Sequence, residues 1–147
     1  MKRIIATYPK KPNACNCMNV RRASRAITQF YDEVLKPSGL TVAQMALLGH
    51  LVVMDEITIT DLAKRMRIDR TTLNRNMKPL IEGDLITVKT GKDTRTRQIH
   101  ITECGKIAVN QARGLWKEAQ ASIKEYLGEE DLQKLTQLLV KLEALAP

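Results

Sequence analysis

Between residues 69 and 102 a short amphipathic helical segment runs straight into a cationic two-strand hairpin, and that order leaves few folds open. Asp69 is placed to cap a helix through Arg70-Thr71-Thr72-Leu73-Asn74-Arg75-Asn76-Met77-Lys78. At about 100° per residue, Leu73, Met77, Leu80 and Ile81 share one face. Thr71, Arg75 and Lys78 lie opposite, flanked by Thr72 and Asn74. Two alternating stretches follow, Leu85 to Lys89 and Arg97 to Ile101, with Lys92, Asp93 and Arg95 in the loop between them. A helix with a polar, cationic outer face next to a basic hairpin is the layout of a winged helix-turn-helix, and it points to double-stranded DNA as the partner.

The charge is distributed to match. The chain of 147 residues carries a formal net charge of +8. Residues 1–25 hold seven basic and no acidic side chains, and residues 61–97 hold ten basic against five acidic. The remaining segments are balanced or slightly acidic, so the excess sits in an N-terminal arm and in the helix-hairpin segment. With one Trp, three Tyr and one Phe, the core has to be aliphatic, which suits packed helices.

Upstream, apolar positions at Ala23, Ala26, Ile27, Phe30, Tyr31 and Val34 predict a helix from about Asn16 to Lys36, ended by Pro37-Ser38-Gly39. Thr41-Val42-Ala43-Gln44 has the form of a capping box and opens a second helix to about Met54. Ile57 to Thr60 alternates and predicts a short strand, with Thr60 capping a helix from Asp61 to about Arg67. Pro79 predicts a kink or a loosened last turn, and Gly83 a stop with positive φ. Thr102 is set to cap a long helix to Leu127. Gly128 breaks it, and a last helix from about Glu130 to Leu145 carries leucines at 132, 135, 138, 139, 142 and 145. That leucine stripe and the first helix can pack on their own chain or on a second copy.

No apolar run approaches the roughly 18 residues that a membrane span needs, and Met45 to Met54 is interrupted by Gly49 and His50. The opening Met1-Lys2-Arg3-Ile4-Ile5 starts like a signal peptide but turns polar at Thr7-Tyr8-Pro9-Lys10. Three cysteines give no disulfide framework, so a cytoplasmic, reduced protein is expected. Cys15-x-Cys17 has only His50 and His100 as imidazole company, both far away in the chain, and neither a metal nor another cofactor is expected.

The stretch Asp93-Thr94-Arg95-Thr96-Arg97-Gln98-Ile99-His100-Ile101-Thr102-Glu103-Cys104-Gly105 resembles the D-x-R…(apolar)-x-(apolar)-T-x-x-G signature of the MarR family of transcriptional regulators. Ile59-Thr60-Asp61-Leu62-Ala63 and Asp69-Arg70-Thr71-Thr72-Leu73 are similar to that family's helix-turn-helix, and the resemblance spans roughly residues 15–146. It implies a homodimer with intertwined first and last helices, a recognition helix in a major groove and a wing in a minor groove of a palindromic operator. On that basis DNA contact falls to Arg70, Thr71, Thr72, Asn74, Arg75 and Lys78 on the helix, and to Lys92, Asp93, Arg95 and Arg97 on the wing. Asp93 is expected to hold an arginine in place by a charge-assisted hydrogen bond. Some relatives sense peroxides through a first-helix cysteine held by two tyrosines, which would put Cys17 and Tyr31 in those roles, with Val42 standing at the second tyrosine position. The family also binds small aromatic or phenolic acids, for which Arg21, Arg25, Met45 and His50 are the candidates.

The expected fold is therefore mainly α with a small β-wing: about six helices and a short three-stranded sheet. Residues 1–147 form a single MarR-like domain. Within it, 1–14 is a basic arm, 15–36 and 103–147 are dimerisation helices, and 41–102 is the winged-helix lobe. The expected function is a homodimeric, sequence-specific DNA-binding regulator, in all expectation a repressor, released by a phenolic ligand or by thiol oxidation. An RNA-binding or protein-interaction winged helix is the alternative. An enzyme is not expected, because no Ser-His-Asp set, phosphate-cradling glycine loop or metal-ligand cluster is present.

Overall fold

A computed structural model describes Ile4 and residues 10–54 and 56–147; most of the N-terminal arm expected over 1–14 lies outside the described residues. Helix α1 is Asn16–Leu35, followed by a 3-10 turn at Lys36–Ser38 and a left-handed Gly39 (φ 76°). Helix α2 is Val42–Val53, and its capping box is complete. The Gln44 amide donates to Thr41 Oγ1 at 3.2 Å, and the Thr41 amide donates to Gln44 Oε1 at 3.0 Å. From α1, Asp32 Oδ1 accepts the Val42 amide at 2.8 Å, so a third free amide of that helix start is met by a neighbouring helix.

The strand β1 is only Ile57–Thr58, and helix α3 is Ile59–Met66. The expected strand to Thr60 is thus two residues too long, and the cap is Thr58, not Thr60. Its Oγ1 accepts from the Asp61 amide at 3.1 Å, three residues on, which is the reach of an N-cap side chain. Helix α4 is Arg70–Glu82, and strands β2 (Ile86–Thr90) and β3 (Arg97–Ile101) complete an antiparallel sheet in the order β1-β3-β2. Ile99 sits opposite both Ile57 and Val88, so one side chain anchors all three strands. Helices α5 (Glu103–Leu127) and α6 (Glu129–Glu143) are separated by Gly128 alone (φ 81°).

Helix α4 runs past Pro79 to Glu82. Pro79 stands on the exposed side, where water can serve the carbonyl that the missing N–H leaves behind. The stop differs from expectation. Gly83 has φ −89°, and the left-handed residue is Asp84 (φ 57°). The Leu85 amide reaches the Leu80 carbonyl at 2.9 Å and the Asp84 amide reaches Ile81 at 3.1 Å, the paired bonds of a Schellman end. Gly83 serves closeness instead, since a Cβ there would stand 3.3 Å from the Pro79 carbonyl.

The core is aliphatic, as the composition requires. Leu47, Leu48 and Leu51 of α2 meet Leu62 of α3, Leu73, Met77 and Leu80 of α4, Ile86 and Ile99 of the sheet, and Val109 and Ala112 of α5. Ile81, expected on that face, is exposed: it sits at the edge of the apolar arc, one residue from the helix end. Helix α6 buries no side chain within one copy of the chain. No helix among the described residues is long and apolar enough to cross a membrane.

Ile99→Ala should cost about 2–5 kcal/mol of stability, since it removes a fully buried side chain shared by three strands and two layers. Urea unfolding at a fixed protein concentration checks this; a loss below about 0.5 kcal/mol would mean that the sheet's core face is not packed as described.

Candidate nucleic-acid interface

Helices α3 and α4 are joined by a three-residue turn. Arg67 takes a left-handed conformation (φ 54°), and the Ile68 amide returns to the Ala63 carbonyl at 3.1 Å, which stops α3 and redirects the chain. Asp69 then starts α4. Its Oδ1 accepts the Thr72 amide at 2.7 Å and its Oδ2 accepts the Thr72 hydroxyl at 2.9 Å. These bonds to Thr72, backbone first, with Arg75 nearby, hold the Asp69 carboxyl below its ordinary range.

The cap sorts the expected contact residues. Arg70, Thr71, Asn74, Arg75 and Lys78 are exposed along the outer face of α4. Thr72 is half-buried, and its hydroxyl proton is committed to Asp69, which leaves only an acceptor lone pair for a partner. Lys64, Arg65 and Arg67 on and after α3 are also exposed and widen the cationic surface. Nothing in a helical wheel of α4 points to them. Arg67 makes an ion pair with Glu143 near the end of α6 at 2.9 Å.

The wing tip is built from backbone bonds. The Gly91 amide donates to the Thr96 carbonyl, and the Thr96 amide and hydroxyl both donate to the Asp93 carbonyl, each at 2.9 Å. Asp93 Oδ1 accepts the Arg95 amide at 3.0 Å. Asp93 therefore does hold an arginine, but by its main chain. No carboxylate among the described residues pairs with the Arg95 guanidinium, and Lys92, Asp93, Arg95 and Arg97 are all exposed. A Cβ at Gly91 would lie 2.6 Å from Thr96 Oγ1, so a larger residue there would have to turn the Thr96 hydroxyl away from the Asp93 carbonyl.

Other expected residues are not brought together. Cys17 and Tyr31 lie on one helix 14 positions apart, about 21 Å along its axis, and cannot touch within one chain. The Tyr31 hydroxyl instead donates to Gln120 Oε1 of α5, and partial burial pushes its pKa up, which keeps it a donor. Cys15, Cys17 and Cys104 are all exposed free thiols. Of Arg21, Arg25, Met45 and His50, Met45 lines a cleft, and Arg21, Arg25 and His50 are exposed. That cleft, about 330 Å³ between α2 and α5, is lined by Val42, Met45, Ala46, Gly49, Arg113, Trp116 and Lys117. Arg113, Trp116 and Lys117 at i, i+3 and i+4 were the sequence signal for it, a single helix face holding an aromatic ring and two cations. No group of three or more His, Cys, Asp or Glu among the described residues could hold a metal ion.

The sequence profile of the MarR family matches residues 38–96, which contain α2, α3, α4, β2 and the wing tip. The Mycobacterium tuberculosis transcriptional regulator MosR, solved in complex with DNA, is 33% identical to this chain. The match covers 90% of this chain and 99% of MosR, with a TM-score of 0.77. The chain belongs to the MarR family. Two more distant structures share the MarR fold with it. A Staphylococcus aureus MepR–DNA complex is 24% identical over 90% of this chain and 98% of that one, with a TM-score of 0.76. A mutant Escherichia coli MarR complexed with operator DNA is 20% identical over 86% and 91%, also at 0.76. Within the MarR signature of this chain, the aspartate and the threonine now have physical roles, as the brace of the wing tip and the cap of α5.

Because the folded-state pKa of Asp69 is lowered, its cap on α4 is in force above the ordinary value of 3.8 and is lost as pH falls through the lower folded value. Protection of the Thr72 amide, relative to its intrinsic exchange rate at each pH, should persist at pH 4 and fall only below that. Protection already lost at pH 5 would show that the carboxylate does not carry the cap.

Proposed function

We propose that this protein is a homodimeric, sequence-specific regulator of transcription that binds a palindromic double-stranded DNA operator and represses by occupying it. The observation that carries this is the pairing of an exposed polar, cationic face on α4 with a wing whose braced tip presents an exposed Arg95, its guanidinium unpaired among the described residues. Arg75 and Lys78 have the reach for base edges and phosphates, and Arg95 for the negative potential of a narrow minor groove. MosR, similar over nearly its whole length, was solved with DNA. Dimerisation is supported by Leu135, Leu138, Leu139 and Leu142 on α6 and by Met18, Val20 and Ile27 on α1, all exposed in a single copy.

Selection of duplexes from a random pool, followed by mobility shifts across a salt series, tests this. A symmetric site should emerge, with affinity falling steeply as salt rises. Arg95→Ala should weaken binding by roughly 1–3 kcal/mol. A monomer in sedimentation, better binding to structured RNA than to any duplex, or unchanged affinity in Arg95→Ala would each count against it.

Two inputs to release follow from the same surfaces. The cleft beside Met45 and Trp116, with Arg113 and Lys117 at its rim, fits a small aromatic acid: apolar floor for the ring, cations for the carboxylate. Thiol oxidation would act at exposed Cys17, with any tyrosine contact supplied by the second copy. Arg113→Ala should lose release by an aromatic acid such as benzoate, and Cys17→Ser should lose release by an organic peroxide. Release that persists in either variant removes that input.

A further inference from the structure

One joint connects the end of α4 to the start of α5, and it is made almost entirely of main chain. The Thr102 amide donates to the Leu85 carbonyl at 3.0 Å, and the Thr102 hydroxyl donates to the Asp84 carbonyl at 2.6 Å. The same hydroxyl accepts the Gly105 amide at 3.0 Å. A Cβ on Gly105 would stand 2.2 Å from the Leu85 carbonyl oxygen and 2.7 Å from Ile101 Cγ1. From the other side, the amides of Asp84 and Leu85 are tied to the Ile81 and Leu80 carbonyls of α4. Two turn residues are thus gripped by α4 through their amides and by α5 through their carbonyls. The bond from the Thr102 amide to Leu85 continues the β2–β3 pairing by one position. A helix cap alone would need only the bond from Gly105 to Thr102; the hydroxyl bond to Asp84 and the missing Cβ of Gly105 serve the contact between the end of α4 and the start of α5.

Helix α5 leaves this joint and continues unbroken for 25 residues into contact with α1 and α6. It is a rod roughly 37 Å long, so a tilt of about 10° at the joint displaces its far end by roughly 6 Å. The geometry points to Thr102 and Gly105 as positioning residues that fix the direction of α4 relative to α5. In a dimer held through its helical lobe, they set the separation of the two α4 helices and so the operator half-site spacing that the dimer accepts. This rests on the DNA-binding homodimer proposed above.

The test measures the distance between spin labels at Lys78→Cys in the two copies, on the full chain with Cys15, Cys17 and Cys104 changed to Ser. The parent and Thr102→Ser, which keeps the hydroxyl, should give one narrow distance. Thr102→Val should broaden it, and Gly105→Ala should move it, because the Leu85 carbonyl has to yield. Unlabelled variants are then selected on duplexes of randomised half-site spacing. Thr102→Val and Gly105→Ala should keep the half-site sequence but bind the parental spacing roughly tenfold or more weakly, the scale of losing a base-pair contact. Narrow, parental distances and an unchanged spacing preference in both variants would overturn the proposal. If Gly105→Ala does not fold, the contrast of Thr102→Val with Thr102→Ser decides it alone. The distances need no DNA, so a parent that ignores every duplex removes the DNA reading while the labels still judge the joint. A monomeric parent overturns the positioning role together with the dimer.

Discussion

Helix α6 carries a stripe of leucines and buries none of them in its own chain, and the demand for burial that this leaves shapes the whole helical lobe. A leucine taken fully out of water contributes about 1.5–3 kcal/mol, so several leucines left half-exposed form a surface that a second copy would stabilise. The aliphatic core lies elsewhere, enclosed by Leu35 at the end of α1, by α2, α3, α4, the sheet and the first half of α5. The long α5 packs on α2 beside that core and also on α1 and α6.

Inside a surface suited to anions stand two carboxylates that look out of place, Asp69 and Asp93. Both are turned inward on their own backbone. Asp69 takes the amide and hydroxyl of Thr72, and Asp93 takes the amide of Arg95. Each uses its charge to fix the local chain path, and the cationic side chains beside it remain free of salt bridges to it. Acidic residues here hold the basic ones in position without competing for the guanidinium groups.

Much of this was legible in the sequence where one residue acts on its near neighbours. Thr41 with Gln44, Asp69 and Thr102 all cap as their spacing implies, because an N-cap is a contact across three residues. Thr60 was the expected cap of α3, but the pairing with β3 ends at Thr58, and Thr58 caps a helix that starts at Ile59, which no local pattern reveals. Gly83 looked like the left-handed residue, but Asp84 took that role once Thr102, 18 residues on, captured its carbonyl. The cleft beside Met45 is made where α5 crosses α2, a meeting of distant segments that no local pattern reveals. Cys17 and Tyr31 were matched by family position, and helix rise keeps them apart in one copy.

Only Gly128, with φ 81° and ψ 157°, lies between α5 and α6, and no loop is available there to absorb a change in length. An insertion or deletion of one residue early in α6 would turn every later leucine by about 100° around the axis, swinging the apolar stripe out of any seam. The corner between the two final helices should therefore hold its length as the protein diverges.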